Sequence, residues 1–196
     1  MFGRLFRRGG NDDAIPSALY GAIVAQARMP ALYRDIGVAD TVDGRFESVV
    51  LHMVLVLRRL GAGDEQMRAI GQTVFDQFCT EMDRSLREMG IGDLAVPKRM
   101  RTIGEVFYGR SAAFDTALAE GNAAALAESL ARNIPAAEGR EVAAGALAAY
   151  MIASDASLQA QSKAQLLASE LAFADPATFL QDETSHVDQP TAGQTD

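Results

Sequence analysis

In Asp64–Gly90, DEQMRAIGQTVFDQFCTEMDRSLREMG, apolar residues recur at Met67, Ile70, Val74, Phe78, Met82 and Met89. This is the spacing of one face of an α-helix. Gln66, Arg68, Gln72, Gln77, Glu81, Arg84, Arg87 and Glu88 fill the positions between, so the helix has a wet side and a dry side. Asp64 is placed to cap the first turn, Glu65 suits the positive end of the helix dipole, and Gly90 ends the run. Strand alternation is nearly absent elsewhere, and the chain reads as all-α, a compact helical bundle.

The flanks repeat the pattern. Upstream, Asp43 and Gly44 open a helix that runs through Arg59 and is stopped by Gly61 and Gly63. Its centre, Val49 to Leu57, is apolar almost all round, which predicts the buried central helix of the bundle. An amphipathic helix from about Asp13 to Met29 precedes it, with Pro16 in the first turn. Downstream, Pro97 suits the start of a helix carrying Met100, Ile103, Val106 and Phe107. Gly109 is expected to interrupt it, and residues 111–119 to form a further segment burying Phe114 and Leu118. Beyond Gly121 the texture turns alanine-rich, predicting helices over 122–133, 136–153 and 157–172, separated by Pro135 and a turn at 154–157. They form an alanine-rich helical extension on the same core. The chain thus divides into a basic amphipathic arm (1–12), a single helical domain (13–173) and an acidic tail (174–196) with little to bury, expected to be disordered.

A chain of 196 residues with 48% hydrophobic content suffices for one proper core. The lone Cys79 cannot form an internal disulfide, which fits a reducing, cytoplasmic compartment. The opening MFGRLFRRGG has no apolar core region or small-residue cleavage site after it and does not read as a secretory signal. The longest nearly apolar run, Ser48 to Leu57, falls well short of the roughly 20 residues a bilayer crossing needs. The net charge of −8 is unevenly spread. Residues 1–27 hold three arginines against two aspartates, residues 28–110 balance twelve against twelve, and residues 111–196 hold three basic against twelve acidic. A chain this acidic is a poor general binder of DNA or other nucleic acid, and only a local patch can serve that purpose.

Motifs of catalysis are missing: there is no glycine-rich phosphate loop, no serine elbow and no zinc spacing. His52 lies in the most hydrophobic helix, either as a metal or haem ligand or as a core histidine bonded to a carboxylate or backbone carbonyl. The want of neighbouring ligands favours the core, so no metal and no cofactor are expected. Cys79, beside Phe78, reads as a small hydrophobe. No enzyme is expected. Two basic features remain. Arg84 and Arg87 end one helix, Lys98, Arg99 and Arg101 begin the next, and Tyr108 and Arg110 follow; chain connectivity keeps them in one region. Lys98 and Arg99 oppose the dipole of their own helix, so an external anionic partner would give them a role, the alternative being surface pairs with Asp83, Glu88, Asp93 and Glu105. In the arm, Phe2, Leu5 and Phe6 with Arg4, Arg7 and Arg8 suit either a weak membrane contact or a disordered segment.

Three blocks in order, GVADTVDGRFESVVLHMVLVLRRL (37–60), FDQFCTEMDRSLREMG (75–90) and IGDLAVPKRMRTIGEVFYGR (91–110), resemble the ubiquinol-cytochrome c chaperone family, over roughly Tyr33 to Leu118. The resemblance implies a non-enzymatic assembly factor for cytochrome b of respiratory complex III, engaging the newly made subunit at the membrane. The partners it implies are cytochrome b and, for mitochondrial relatives, the ribosome; an anionic membrane surface is the partner that the basic arm itself suggests. The expected location is the cytoplasm, peripheral on the cytoplasmic face of the inner membrane. An adaptor that docks on ribosome, RNA or anionic lipid through the basic patch is the alternative. A chaperone for a membrane subunit needs an apolar groove with a polar rim, and Met67, Met82, Met89 and Met100 are candidates for an adaptable lining, although core packing is the expected fate of most of them.

Overall fold

A computed structural model describes residues 14–180. The order is α1 (Ala14–Ala27), α2 (Pro30–Arg34), α3 (Val42–Gly61), α4 (Glu65–Glu88), α5 (Val96–Ala119), α6 (Ala123–Asn133), α7 (Ala144–Ala160), α8 (Lys163–Leu167) and a 3₁₀ turn at Pro176–Leu180. Helix α3 is the axis of the bundle, packed by α1, α4, α5 and α7. Val50 to Val56 are all buried, so the helix that reads as apolar all round is enclosed on every side. Burying each of these side chains contributes about 2 kcal/mol before entropy is counted, and no other helix concentrates so much of the core. Thr41 starts α3, its Oγ1 accepting from the Gly44 amide at 3.2 Å. Asp64 starts α4 in the same way, accepting from the Met67 amide at 3.1 Å.

Helix α5 runs through Gly109 without a break. A mid-helix glycine costs about 1 kcal/mol relative to alanine, and the burial of Phe107 and Phe114 on either side of it outweighs that cost.

The alanine-rich part departs further from the periodic reading. Residues 135–143 are extended rather than helical and thread beside 36–39. The Ala39 amide donates to Pro135 O (2.8 Å), Ala137 to Gly37 O (3.0 Å) and Ala143 to Ile36 O (2.9 Å), around an isolated antiparallel bridge between Val38 and Ala136. At Gly37, with φ +90°, any Cβ would stand 2.7 Å from the Glu141 carbonyl oxygen, so the crossing requires glycine. Helix α7 therefore begins at Ala144 and continues through 154–157, where a turn was expected, because Ser154 points inward and accepts from the Ala174 amide at 3.1 Å. Helix α8 is one short piece with a Ser162–Gln165 capping box rather than a helix to residue 172. The chain after it is clasped by buried Gln161, which donates to Glu170 O and accepts from the Ala172 amide, both at 3.0 Å. Residues 174–180, assigned by composition to a disordered tail, are instead held, with Phe179 edge-on to Tyr150 at a centroid distance of 6.2 Å. The rest of the tail and the arm (1–12) lie outside the described residues. No described helix is long and apolar enough to cross a membrane.

Candidate functional site

Three helices each leave a two-turn stripe unpaired on the same side of the bundle. Helix α3 offers Val42, Phe46 and Val49; α4 offers Met82, Ser85, Leu86 and Met89; α5 offers Arg99, Thr102, Ile103 and Val106. Each stripe steps by three or four residues, so each runs about 10 Å. They enclose a groove of about 430 Å³. Its inner end abuts the aromatic cluster of the core, where Phe46 stacks on Phe78 at 6.4 Å and Phe75 meets Phe107 at 4.9 Å. Its outer lip leaves Val42 66% and Met89 55% exposed, an apolar cost without return in the isolated chain. Arg28, Arg45, Arg99 and Asp43 form the rim. The start of α3 is pinned: a Cβ on Gly44 would lie 1.9 Å from the Ala39 carbonyl oxygen, so this lip has one position.

Two further hollows adjoin the groove. One, of about 460 Å³, shares Arg28 and Arg45 with it and adds Pro30, Tyr33, Arg34 and Asp40. The other, of about 440 Å³, shares Asp43, Phe46 and Val106 and is closed by Ile134 and Pro135. Of the four methionines singled out, Met82 and Met89 line the groove, Met100 is half-buried outside it and Met67 is core. Val42, Arg28 and Arg45 escaped the sequence reading. Val42 directly follows the capping Thr41 and precedes the buried stripe of α3, an apolar residue out of phase with the core, and that is the signal that could have found it.

The basic residues expected to act together divide into four groups. Arg84 pairs with Glu81 and lies 3.9 Å from Glu88; Arg87 pairs with Asp83 at 2.6 Å and with Asp93. Arg110 turns inward and makes a two-pronged pair with buried Glu47, at 3.0 and 3.1 Å. Arg99 faces the groove. Lys98, Arg101 and Tyr108 share the outer side of α5, are exposed, and make no ion pair or side-chain hydrogen bond to another side chain among the described residues. Tyr108 is 64% exposed, with its ring 6.0 Å from that of Phe75. Phe2, Arg4, Leu5, Phe6, Arg7 and Arg8 lie outside the described residues.

His52 is fully buried with both ring nitrogens engaged. Nδ1 is 2.7 Å from Ser48 O and so carries the proton; Nε2, 2.7 Å from the Tyr150 hydroxyl, accepts from it. Tyr150 in turn accepts from Gln26 Nε2 at 3.1 Å, and the Phe173 ring closes edge-on at 5.3 Å. Burial drives the imidazole pKa down to about 4, so the ring is neutral at physiological pH, and burial raises the Tyr150 hydroxyl to about 12. Cys79 is half-buried and its thiol is pushed up by burial and by Asp76, away from thiolate chemistry. Among the described residues no group of three or more His, Cys, Asp or Glu side chains is arranged to hold a metal ion.

Residues 34–173 match the family model described as ubiquinol-cytochrome C chaperone. The match runs past Leu118 and through the alanine-rich helices, which a resemblance confined to 33–118 does not include. The fold is similar to the crystal structure of the Cbp3 homolog from Brucella abortus, with a TM-score of 0.76 and 36% identity, over 85% of this chain and 92% of that one. No curated protein matches. With a model match over most of its length and a solved structure of the same fold at this identity, the chain belongs to the ubiquinol-cytochrome C chaperone family.

Proposed function

We propose that this protein is a non-enzymatic assembly chaperone that holds an apolar segment of newly made cytochrome b in the groove between α3, α4 and α5. The observation that carries the reading is the lip of that groove: Val42 and Met89 stand exposed beside half-buried Met82 and Phe46, in a domain whose other large apolar side chains are almost all covered. Three helix faces around a trough form the receiving half of a helix-in-groove contact, and methionine adapts to varied partners. Membership of the family supports a client that belongs to the ubiquinol-cytochrome c reductase. The test is co-purification of cytochrome b with the protein from cells in which complex III is being assembled. Met89→Asp and Val42→Asp should fold normally and lose the client; retention of cytochrome b by both variants would reject the groove.

A second reading is favoured by one observation, the exposed Lys98, Arg101 and Tyr108 on the outer side of α5. It is an adaptor role in which this face docks on ribosomal RNA or anionic lipid. Salt separates the two. Contact through this face should weaken steeply as salt rises, because phosphate neutralisation releases counterions, whereas an apolar groove holds its client.

A further inference from the structure

The groove does not end at its apolar walls. Arg28 and Arg45 stand at the boundary between the groove and the adjoining hollow that Tyr33 and Arg34 also line. Arg28 makes no ion pair among the described residues, and Arg45 pairs only with Asp40 across an exposed contact at 2.6 Å. Exposed pairs of this kind contribute little to stability and are readily exchanged for another carboxylate. Arg34 is likewise held by an exposed neighbour, Asp35, at 2.9 Å. Three arginines thus line the hollow beside the start of α3, and Asp40 is the one acid lining it. The second hollow has no such excess, since Asp43 and Glu47 line it with Arg132, and Glu47 is already bound to Arg110.

The three stripes run about two helical turns, so a bound helix longer than that would carry flanking residues past the walls, where the arginine-lined hollow adjoins the groove. We infer that the segment held in the groove carries carboxylate side chains on one flank, seated over Arg28 and Arg45, which fixes the direction in which the segment lies. This rests on the reading of the groove as a client site and adds the charge and polarity of what it accepts. Arginine at this boundary suits the purpose, because its planar fork grips a carboxylate with two parallel hydrogen bonds and its stem lies along apolar surface. A lysine-flanked segment would meet like charges there, so the site rejects as well as selects.

The probes are two synthetic helix-forming peptides with the same leucine–alanine centre, one flanked by glutamates and one by lysines, titrated against the full chain by fluorescence anisotropy. The glutamate-flanked peptide should bind about tenfold more tightly at low salt. Arg28→Glu should invert the preference while circular dichroism and melting temperature stay those of the wild type, and Arg28→Lys should restore most of it. Equal binding of both peptides, abolished for both by Met89→Asp, would overturn the charge inference and leave the groove reading standing. Binding of neither peptide, or binding indifferent to Met89→Asp, would remove both.

Discussion

Arg110 reaches across from α5 to Glu47 on α3 and grips its carboxylate with Nε and Nη2 at 3.1 and 3.0 Å. The pair is a brace between two walls of the groove, not part of a surface patch. Removing one partner of a largely buried pair leaves the other charge without compensation. Arg110→Ala should therefore lower unfolding free energy by about 3 kcal/mol in urea denaturation. Replacing both partners with Glu47→Leu and Arg110→Met should recover most of the loss. A change below about 0.5 kcal/mol for the single variant, the usual size for an exposed site, would return Arg110 to the surface.

His52 makes stability depend on pH with a definite sign. Its ring is neutral when folded, with burial lowering its pKa to about 4, against 6.5 for a solvent-exposed imidazole. The unfolded chain therefore binds the extra proton between those values. The contribution is fully present above pH 6.5 and is lost as pH falls toward 4, by about 3 kcal/mol in all. His52→Leu should flatten the stability profile between pH 5 and 6.5, where carboxylates titrate little. It should also cost stability at pH 7, because the Tyr150 hydroxyl loses its acceptor. An unchanged slope in that variant would show that another group sets the pH dependence.

Gly44 should tolerate nothing larger. The space for its Cβ is already occupied by the backbone of Ala39, and no side-chain rotation relieves that overlap. Gly44→Ala should lower the melting temperature and weaken client capture together, whereas Gly109→Ala, in open solvent on α5, should raise stability by about 1 kcal/mol. Equal melting temperatures for Gly44→Ala and the wild type would mean that the start of α3 can shift.

The exposed face of α5 separates the two functional readings. Reversing Lys98 and Arg101 to Glu should leave the fold and cytochrome b capture intact and abolish any salt-sensitive association with ribosomes or anionic vesicles. Loss of cytochrome b capture in that variant would move the client site from the groove to the outer side of α5.

Helical periodicity made α4 legible, its Asp64 cap included, because amphipathic spacing and an N-terminal aspartate are local properties. Helix α3 was legible from its apolar run, but its cap is Thr41, two residues before the Asp43 expected to open it. Met82 and Met89 pointed to the groove through the same local spacing, while Met67, on the same apolar stripe, packs in the core. What was hidden is non-local. The partner of Arg110 lies 63 residues upstream, and that of His52 Nε2 98 residues downstream. No local pattern announces either. Alanine misled in another way: residues 136–143 have helix-forming composition, but the amides of Ala137 and Ala143 donate to the carbonyls of Gly37 and Ile36, and tertiary pairing overrode propensity.

The threading of 135–143 past 36–39 also has a kinetic meaning. The stretch that clamps the approach to α3 and the helix that carries Tyr150 are made after the walls of the groove, and they close contacts spanning about a hundred residues. Contacts so distant along the chain slow folding, since the entropy of closing the loop is lost before the contacts form. During synthesis, α1, α3, α4 and α5 can pack on one another first, and the face of α3 that meets α7 stays uncovered until the alanine-rich half arrives to complete the bundle. A stalled or truncated chain ending before residue 144 would present the faces of α3 and α6 that α7 covers in the finished protein.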